Sequence, residues 1–299
     1  MGPYDLRFSN FIDPQGDRFS VLYRFLGDQN LDPSVVTLGS GRHIILAPPR
    51  SEVGSERSRA TTVLIAHYDR VSPSPGANDN GAAVFQLAEA ALRLRKAGKR
   101  GWTIVFTDKE EVSKNTGIRG QGAYSLAVGF RSIGLEGGHF FIFDACGRGD
   151  TLIVSTTVDH LLRGERGLGA EKAQRTVQEL RSRALRSARE LSLEKILLMP
   201  TPFSDDAGFL AAQMAAQTIT VLPADEAAPL ARALRRQPRL ARTLISAERT
   251  DRTIPSPAYP QTWKDLHSCE DTPERLTESS FKLMVNFACV LCGFERGEL

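Results

Sequence analysis

His67-Tyr68-Asp69 is followed by Asp79, inside Gly76-Ala-Asn-Asp-Asn-Gly81, and then by the adjacent pair Glu110-Glu111. His67 ends the apolar run Val63-Leu64-Ile65-Ala66, and the glutamates follow the run from Trp102 to Thr107. Imidazole nitrogens and carboxylate oxygens gathered at strand ends are the donors a divalent cation takes, so the pattern points to metal-assisted chemistry. In extended chain the Asp69 carboxylate approaches the second ring nitrogen of His67 and fixes its tautomer. Asp79 admits two readings from its own surroundings, a metal ligand or a turn and N-cap aspartate at the mouth of a helix. Glu110 and Glu111 repel one another unless a cation compensates, and a metal lets one carboxylate bind while its neighbour handles a proton. Asp144 repeats the strand-end pattern after Phe140-Phe-Ile-Phe143. His267 precedes Thr272-Pro273-Glu274, where threonine is expected to cap a helix with proline at its first position. His43, His139 and His160 read as structural.

To position such residues the chain must alternate strands with helices, and its pattern does so. Strands are expected at 43–47, 62–67, 102–107, 139–144, 151–156, 195–199 and 217–222. Helices are expected at 18–27, 80–96, 120–130, 170–191, 206–215, 226–235 and 273–292. The 80–96 segment carries Val84, Leu87, Ala88, Ala91 and Leu92 on one face, with Arg93, Arg95 and Lys96 near its end, where cations suit the helix dipole. No internal repeat or Gly/Ser-rich linker divides the chain, so a single domain over residues 1–299 is expected. Helical excursions are expected at 157–194 and 223–260, the first Arg-rich from 163 and the second ending in a Pro-rich loop. Each reads as a solvated helix face or as a lid or homo-oligomer contact over the site.

The chain has 299 residues, 41% of them hydrophobic and 24% charged, with a formal charge of +3. That balance implies no nucleic-acid partner, and no apolar run is long enough to imply a membrane span. Charges at Asp5, Arg7, Asp13, Asp17 and Arg18 break up the N-terminal segment, so no secretion signal is read there and a cytoplasmic location is expected. Cys146, Cys269, Cys289 and Cys292 are too few and scattered for a disulfide framework. Cys289-Val-Leu-Cys292 sits in an apolar helical stretch and reads as core thiols rather than a metal pair.

The order His-x-Asp, Gly-Ala-x-Asp-Asn, Glu-Glu, strand-end Asp, Ser-Asp and a late His followed by Asp-Thr resembles the co-catalytic di-zinc aminopeptidase family, metallopeptidase family twenty-eight, whose relatives include glutamate carboxypeptidase and glutaminyl cyclase. The resemblance spans His67 to Thr272 and implies an α/β fold, a three-layer α/β/α sandwich of phosphorylase/hydrolase type around a mixed eight-stranded sheet. It implies two zinc ions, with cobalt or manganese as substitutes. Asp79 would bridge them, His67 and Asp144 would complete one shell, and Glu111 and His267 the other. Glu110 would be the general base, Asp69 the orienter of His67, and Ser204-Asp205 would line the substrate pocket. The implied activity is a metallo-aminopeptidase that removes N-terminal residues from a peptide substrate. A glutaminyl cyclase-like acyltransferase, and a carboxypeptidase or amidohydrolase using the same metal centre, stand as alternatives. A non-catalytic member would have lost Glu110 or a ligand, and none is lost. The sequence departs from the family's usual short Gly-rich turn at 112–117, and 163–194 has no counterpart.

Overall fold

The computed structural model describes residues 4–49, 61–111, 117–246 and 257–299. Its strands are β1 Ser34–Leu38, β2 Gly41–Leu46, β3 Thr62–His67, β4 Trp102–Thr107, β5 His139–Phe143, β6 Thr151–Ser155, β7 Ile196–Met199 and β8 Gln217–Leu222. They form one mixed eight-stranded sheet in the order β1-β2-β4-β3-β5-β8-β6-β7. The central strands β4, β3, β5 and β8 are parallel. β1, β2 and β4 pair antiparallel in turn, β6 is antiparallel to β8, and β7 is parallel to β6. Parallel register, with His67 opposite Thr107, brings the carboxyl ends of the central strands to one edge of the sheet.

The helices are α1 Leu6–Ile12, α2 Arg18–Asp28, α3 Ala82–Lys96, α4 Gly122–Ser132, α5 Thr157–Leu161, α6 Leu168–Glu190, α7 Asp205–Ala211, α8 Ala224–Arg236, α9 Pro238–Ser246, α10 Gln261–Asp265 and α11 Glu278–Leu291. β3 and β8 are buried along their whole length, which is why each reads as a continuous apolar or β-branched run rather than an alternation. Alternation instead divides the two cores. Leu64, Ala66, Ile104, Phe106, Phe141 and Phe143 face a layer that includes α1, α2, α3, α6 and α11. Val63, Ile65, Val105, Phe140 and Ile142 face α4 and α7. A third cluster joins Ile153 and Leu222 to Leu230, Leu244 and Trp263 from α8, α9 and α10.

The expected strands recur with small changes at their ends, and β1 is added. It is a short edge strand after Pro33, almost wholly exposed and paired only through β2, so burial left little pattern in its sequence. The expected helix at 273–292 divides. Thr272-Pro273 opens only the short turn Pro273–Arg275, Leu276 is extended, and α11 starts beyond Thr277, whose side chain accepts from the Ser280 amide. The helix expected at 206–215 ends four residues early, and Gln213 just beyond it has a φ of 60°. Cys146, Cys289 and Cys292 are free and buried. No helix among the described residues is long and apolar enough to cross a membrane. The departure at 112–117 lies, but for Gly117, outside the described residues, as does the 247–256 part of the second excursion.

Candidate metal centre

His67 closes β3, Glu110 and Glu111 follow β4, and Asp144 follows β5, its N–H donating to the Ile219 carbonyl of β8 at 3.1 Å. Asp79 comes from the turn Ala77–Gly81 that leads into α3, and His267 from the segment after α10. Two triads share Asp79. His67 Nε2 stands 3.1 Å from Asp79 Oδ1 and 3.7 Å from Asp144 Oδ1. His267 Nε2 stands 2.9 Å from Asp79 Oδ2 and 3.0 Å from Glu111 Oε1. Within each triad the donor atoms lie within 4.8 Å of one another, as they do in a third grouping of His67 with Glu110 and Glu111. The turn reading of Asp79 is therefore also true of it, but its carboxylate offers one oxygen to each histidine.

The donor set fits a divalent cation. Both ring nitrogens of His67 are buried, and neither has a partner in hydrogen-bond geometry despite the carboxylate oxygens around them. Buried carboxylates this close need positive charge, and the imidazoles supply it. Burial pushes His67 down, but Asp144, Asp69 and Asp79 outweigh it and hold the ring well above its ordinary pKa. Burial likewise opposes protonation of His267, and Asp79 and Glu111 raise it to about 11. Asp79 is held well below the carboxylate range, since bonds to the two histidines overcome its burial. Glu111 goes the other way, to about 7, through burial and then the charge of Asp79.

A second layer of bonds fixes these groups. Asp69 Oδ1 accepts from the Glu110 amide at 3.1 Å and Oδ2 from the Glu111 amide at 2.9 Å, whereas His67 Nδ1 is 3.5 Å from Oδ1. The sequence assigns Asp69 to His67, yet its shorter bonds hold the glutamate pair. Asp271 accepts from the amides of Asn78 at 2.7 Å and Asp79 at 3.0 Å. Asn78 Oδ1 accepts from Gly147 and Asn80 Nδ2 donates to the Phe143 carbonyl, both at 2.7 Å, so the turn is stitched to the end of β5. Arg18 of α2 is only 5% exposed. Its guanidinium donates to the carbonyls of Tyr68, Asp69, Pro75 and Gly76 at 3.1, 3.2, 2.5 and 2.9 Å. Gly76 has a φ of +61°, and a Cβ there would sit 2.6 Å from the Asp79 carbonyl oxygen. Lys109, Ala145 and His267 also have positive φ (60°, 50° and 59°), so left-handed backbone occurs at a site residue and beside two others. Sequence reasoning missed Asp271 and Arg18. The Asp-Thr pair after His267 was a signal for the first, and nothing local marked the second.

A cavity of about 90 Å³ opens over the cluster, lined by Asp79, Glu110, Glu111, Asp144 and His267. Phe203, Leu244, Tyr259, Trp263 and Leu266 give it an apolar wall. Thr201, Thr218 and Thr220 add hydroxyls, and Lys264 adds a cation. Ser204 and Asp205, expected to line the pocket, do not line this cavity: they are 1% and 0% exposed. Ser204 begins α7 without a side-chain cap bond, and Asp205 Oδ2 accepts from the Thr107 hydroxyl at 2.7 Å, behind the cluster. Burial raises Asp205 to about 7. Of the two excursions, 157–194 contributes no lining residue, whereas 223–260 contributes Leu244 and Tyr259.

Residues 51–288 match the model of peptidase family M28. No curated protein sequence matches the chain. Among solved structures, a zinc aminopeptidase from Bacillus subtilis is similar at 18% identity and a TM-score of 0.50, over 84% of this chain and 48% of its own. This chain thus spans about half the length of that aminopeptidase. A glutaminyl cyclase from Porphyromonas gingivalis is similar at 15% identity and a TM-score of 0.60, over 96% of this chain and 94% of its own. A Zn-dependent exopeptidase from Parabacteroides distasonis is similar at 15% identity and a TM-score of 0.58, over 98% and 97%. At these identities the likeness is one of fold.

Proposed function

This chain belongs to peptidase family M28, and from that premise we propose that it is a zinc-dependent exopeptidase that removes N-terminal residues from peptides. The observation that carries the reading is Asp79 shared between two donor triads, one completed by His67 and Asp144 and the other by Glu111 and His267. These five residues would hold two zinc ions. When bound, zinc polarises a scissile carbonyl and makes water a competent nucleophile near neutral pH. Glu110, 2% exposed yet lining the cavity, is the general base. Its carboxylate takes a proton from the attacking water as the oxygen bonds to the carbonyl carbon, and returns it to the amine nitrogen as the C–N bond breaks. Asp69 positions that base through the Glu110 and Glu111 amides, and the apolar wall receives the substrate side chain. Ser204 and Asp205 have no substrate contact in this reading. His67 and Asp144 together complete one triad, which favours hydrolysis over cyclisation of an N-terminal glutamine.

The test is metal content of the purified protein with turnover of a panel of amino-acyl amides, N-blocked peptides and N-terminal glutamine peptides, with and without chelator. Two metals per chain and chelator-sensitive release of free N-terminal residues are expected. Cyclisation of glutamine peptides, or cleavage confined to N-blocked substrates with a free carboxyl terminus, would replace the reading with a cyclase or a carboxypeptidase.

A further inference from the structure

We propose that Lys264 anchors a carboxylate of the substrate, so that preferred substrates carry a free carboxylate within one or two residues of the scissile bond, dipeptides first among them. The inference rests on the exopeptidase reading. The cavity is electrically divided: Asp79, Glu110, Glu111 and Asp144 gather around the two histidines, and apart from His267 the cationic lining residue is Lys264. Lys264 is half-buried, and among the described residues its ammonium has no hydrogen bond or ion pair.

The acids beside its helix, Asp265 on α10 and Glu226 on the neighbouring α8, are engaged elsewhere. Asp265 accepts from Gln261 at 2.6 Å and pairs with Arg148 at 3.4 Å. Glu226 accepts from the Thr262 amide at 2.8 Å and faces the same Arg148 at 3.5 Å. Trp263 and Leu266, close to Lys264 in sequence and lining the same cavity, offer no carboxylate. An ammonium partly withdrawn from water beside an apolar wall gains most from an anionic partner. Among the described residues the carboxylates of the donor triads are committed to their histidines, which leaves a carboxylate of the ligand as the partner for this ammonium. Lys264 and His267 are three residues apart, a span of at most about 11 Å of extended chain. Both line one cavity, which ties a carboxylate held by Lys264 to a peptide bond held beside His267.

The test uses reduced-amide dipeptide analogues, in which the scissile carbonyl is a methylene, with Ala, Leu, Phe or Lys at the N-terminal position. Each is made as the free acid, as the C-terminal amide, and as an amide ending in glutamate. Calorimetry measures binding to the zinc-loaded protein and to its Lys264→Met and Lys264→Arg variants. The free acid of the best binder is expected to bind wild type about tenfold tighter than its amide, the ratio falling to near one in Lys264→Met and being partly kept in Lys264→Arg. Recovery of tight binding by the glutamate amide assigns the side-chain carboxylate as an equivalent source of the same chemistry. Equal binding of acid and amide to wild type, an undiminished ratio in Lys264→Met, or no binding by any analogue overturns the proposal. Hydrolysis of the parent dipeptides is followed in parallel. Discrimination without hydrolysis keeps the carboxylate anchor and removes the exopeptidase, and hydrolysis without discrimination does the reverse.

Discussion

Glu110 sits in the cavity with its amide fixed by Asp69, and Gln121 Nε2 lies 3.5 Å from its Oε1. A group that moves a proton but holds no ion separates chemistry from metal binding. Glu110→Gln should retain the metal content of wild type and lose about 10²- to 10⁴-fold in turnover. Metal analysis beside steady-state kinetics checks this, and near-normal turnover would remove Glu110 from the mechanism. Asp206 gives a prediction about stability. It is 1% exposed, its carboxylate oxygens make no well-formed hydrogen bond, and burial, only partly offset by the nearby Thr218 hydroxyl, raises its pKa from 3.8 to about 7. Because the folded value is above the unfolded one, the unfolded chain gives up this proton first as pH rises. The fold therefore loses stability from about pH 4 upward, and the loss is complete above pH 7, where it reaches at most about 4 kcal/mol. In Asp206→Asn the decline between pH 5 and 8 should be shallower than in wild type. Urea titrations at the two pH values read this directly, and identical slopes would count against it.

At the scale of elements, the site depends on a helix distant from it in sequence. Arg18 reaches from α2 to four carbonyls that flank the turn carrying Asp79, and its ring contact with Phe11, 4.6 Å from the centroid, ties α1 into the same brace. Replacing it leaves buried carbonyl oxygens without donors. Arg18→Met should cost about 2–4 kcal/mol in stability and loosen metal retention by about 10- to 100-fold, whereas the exposed Arg24→Ala on the same helix should change stability by no more than about 0.5 kcal/mol. Chemical unfolding with chelator competition measures both, and a stable Arg18→Met with unchanged metal affinity would show the brace to be dispensable. Elements with a strong period were legible in sequence. α3 declared itself by its apolar face, and β3, β4 and β8 by runs with matching bounds. β1 did not, because an exposed edge strand buries almost nothing and so needs no pattern. The start of α11 was misplaced because Thr272-Pro273 has the chemistry of a helix start, while the chain straightens at Leu276 before Thr277 provides the working cap.

Across the whole molecule, the parallel centre of the sheet converts four distant stretches into one site. The loops leaving β3, β4 and β5 emerge side by side, and α3 and α10 bring Asp79 and His267 to the same edge. A cluster assembled that way exists only in the folded chain, so a metal bound there would stabilise the fold. Chelation should lower the melting temperature by several degrees, as expected for a ligand that binds only the folded state, with about 4 kcal/mol at a thousandfold excess over its dissociation constant. Scanning calorimetry with and without chelator decides this, and an unchanged melting temperature would argue against a structural share for the metal. The ligand types, their order and the strand ends that carry them could be read from the chain alone, because donor chemistry and apolar runs are local properties. The tertiary structure decided the rest. It showed Asp79 facing two histidines, Asp69 holding the glutamate backbone, Ser204 and Asp205 behind the cavity, and Arg18, Asp271 and Lys264 beside the site. Those facts are distances between residues far apart in sequence, and only the packed sheet and its helices fix them.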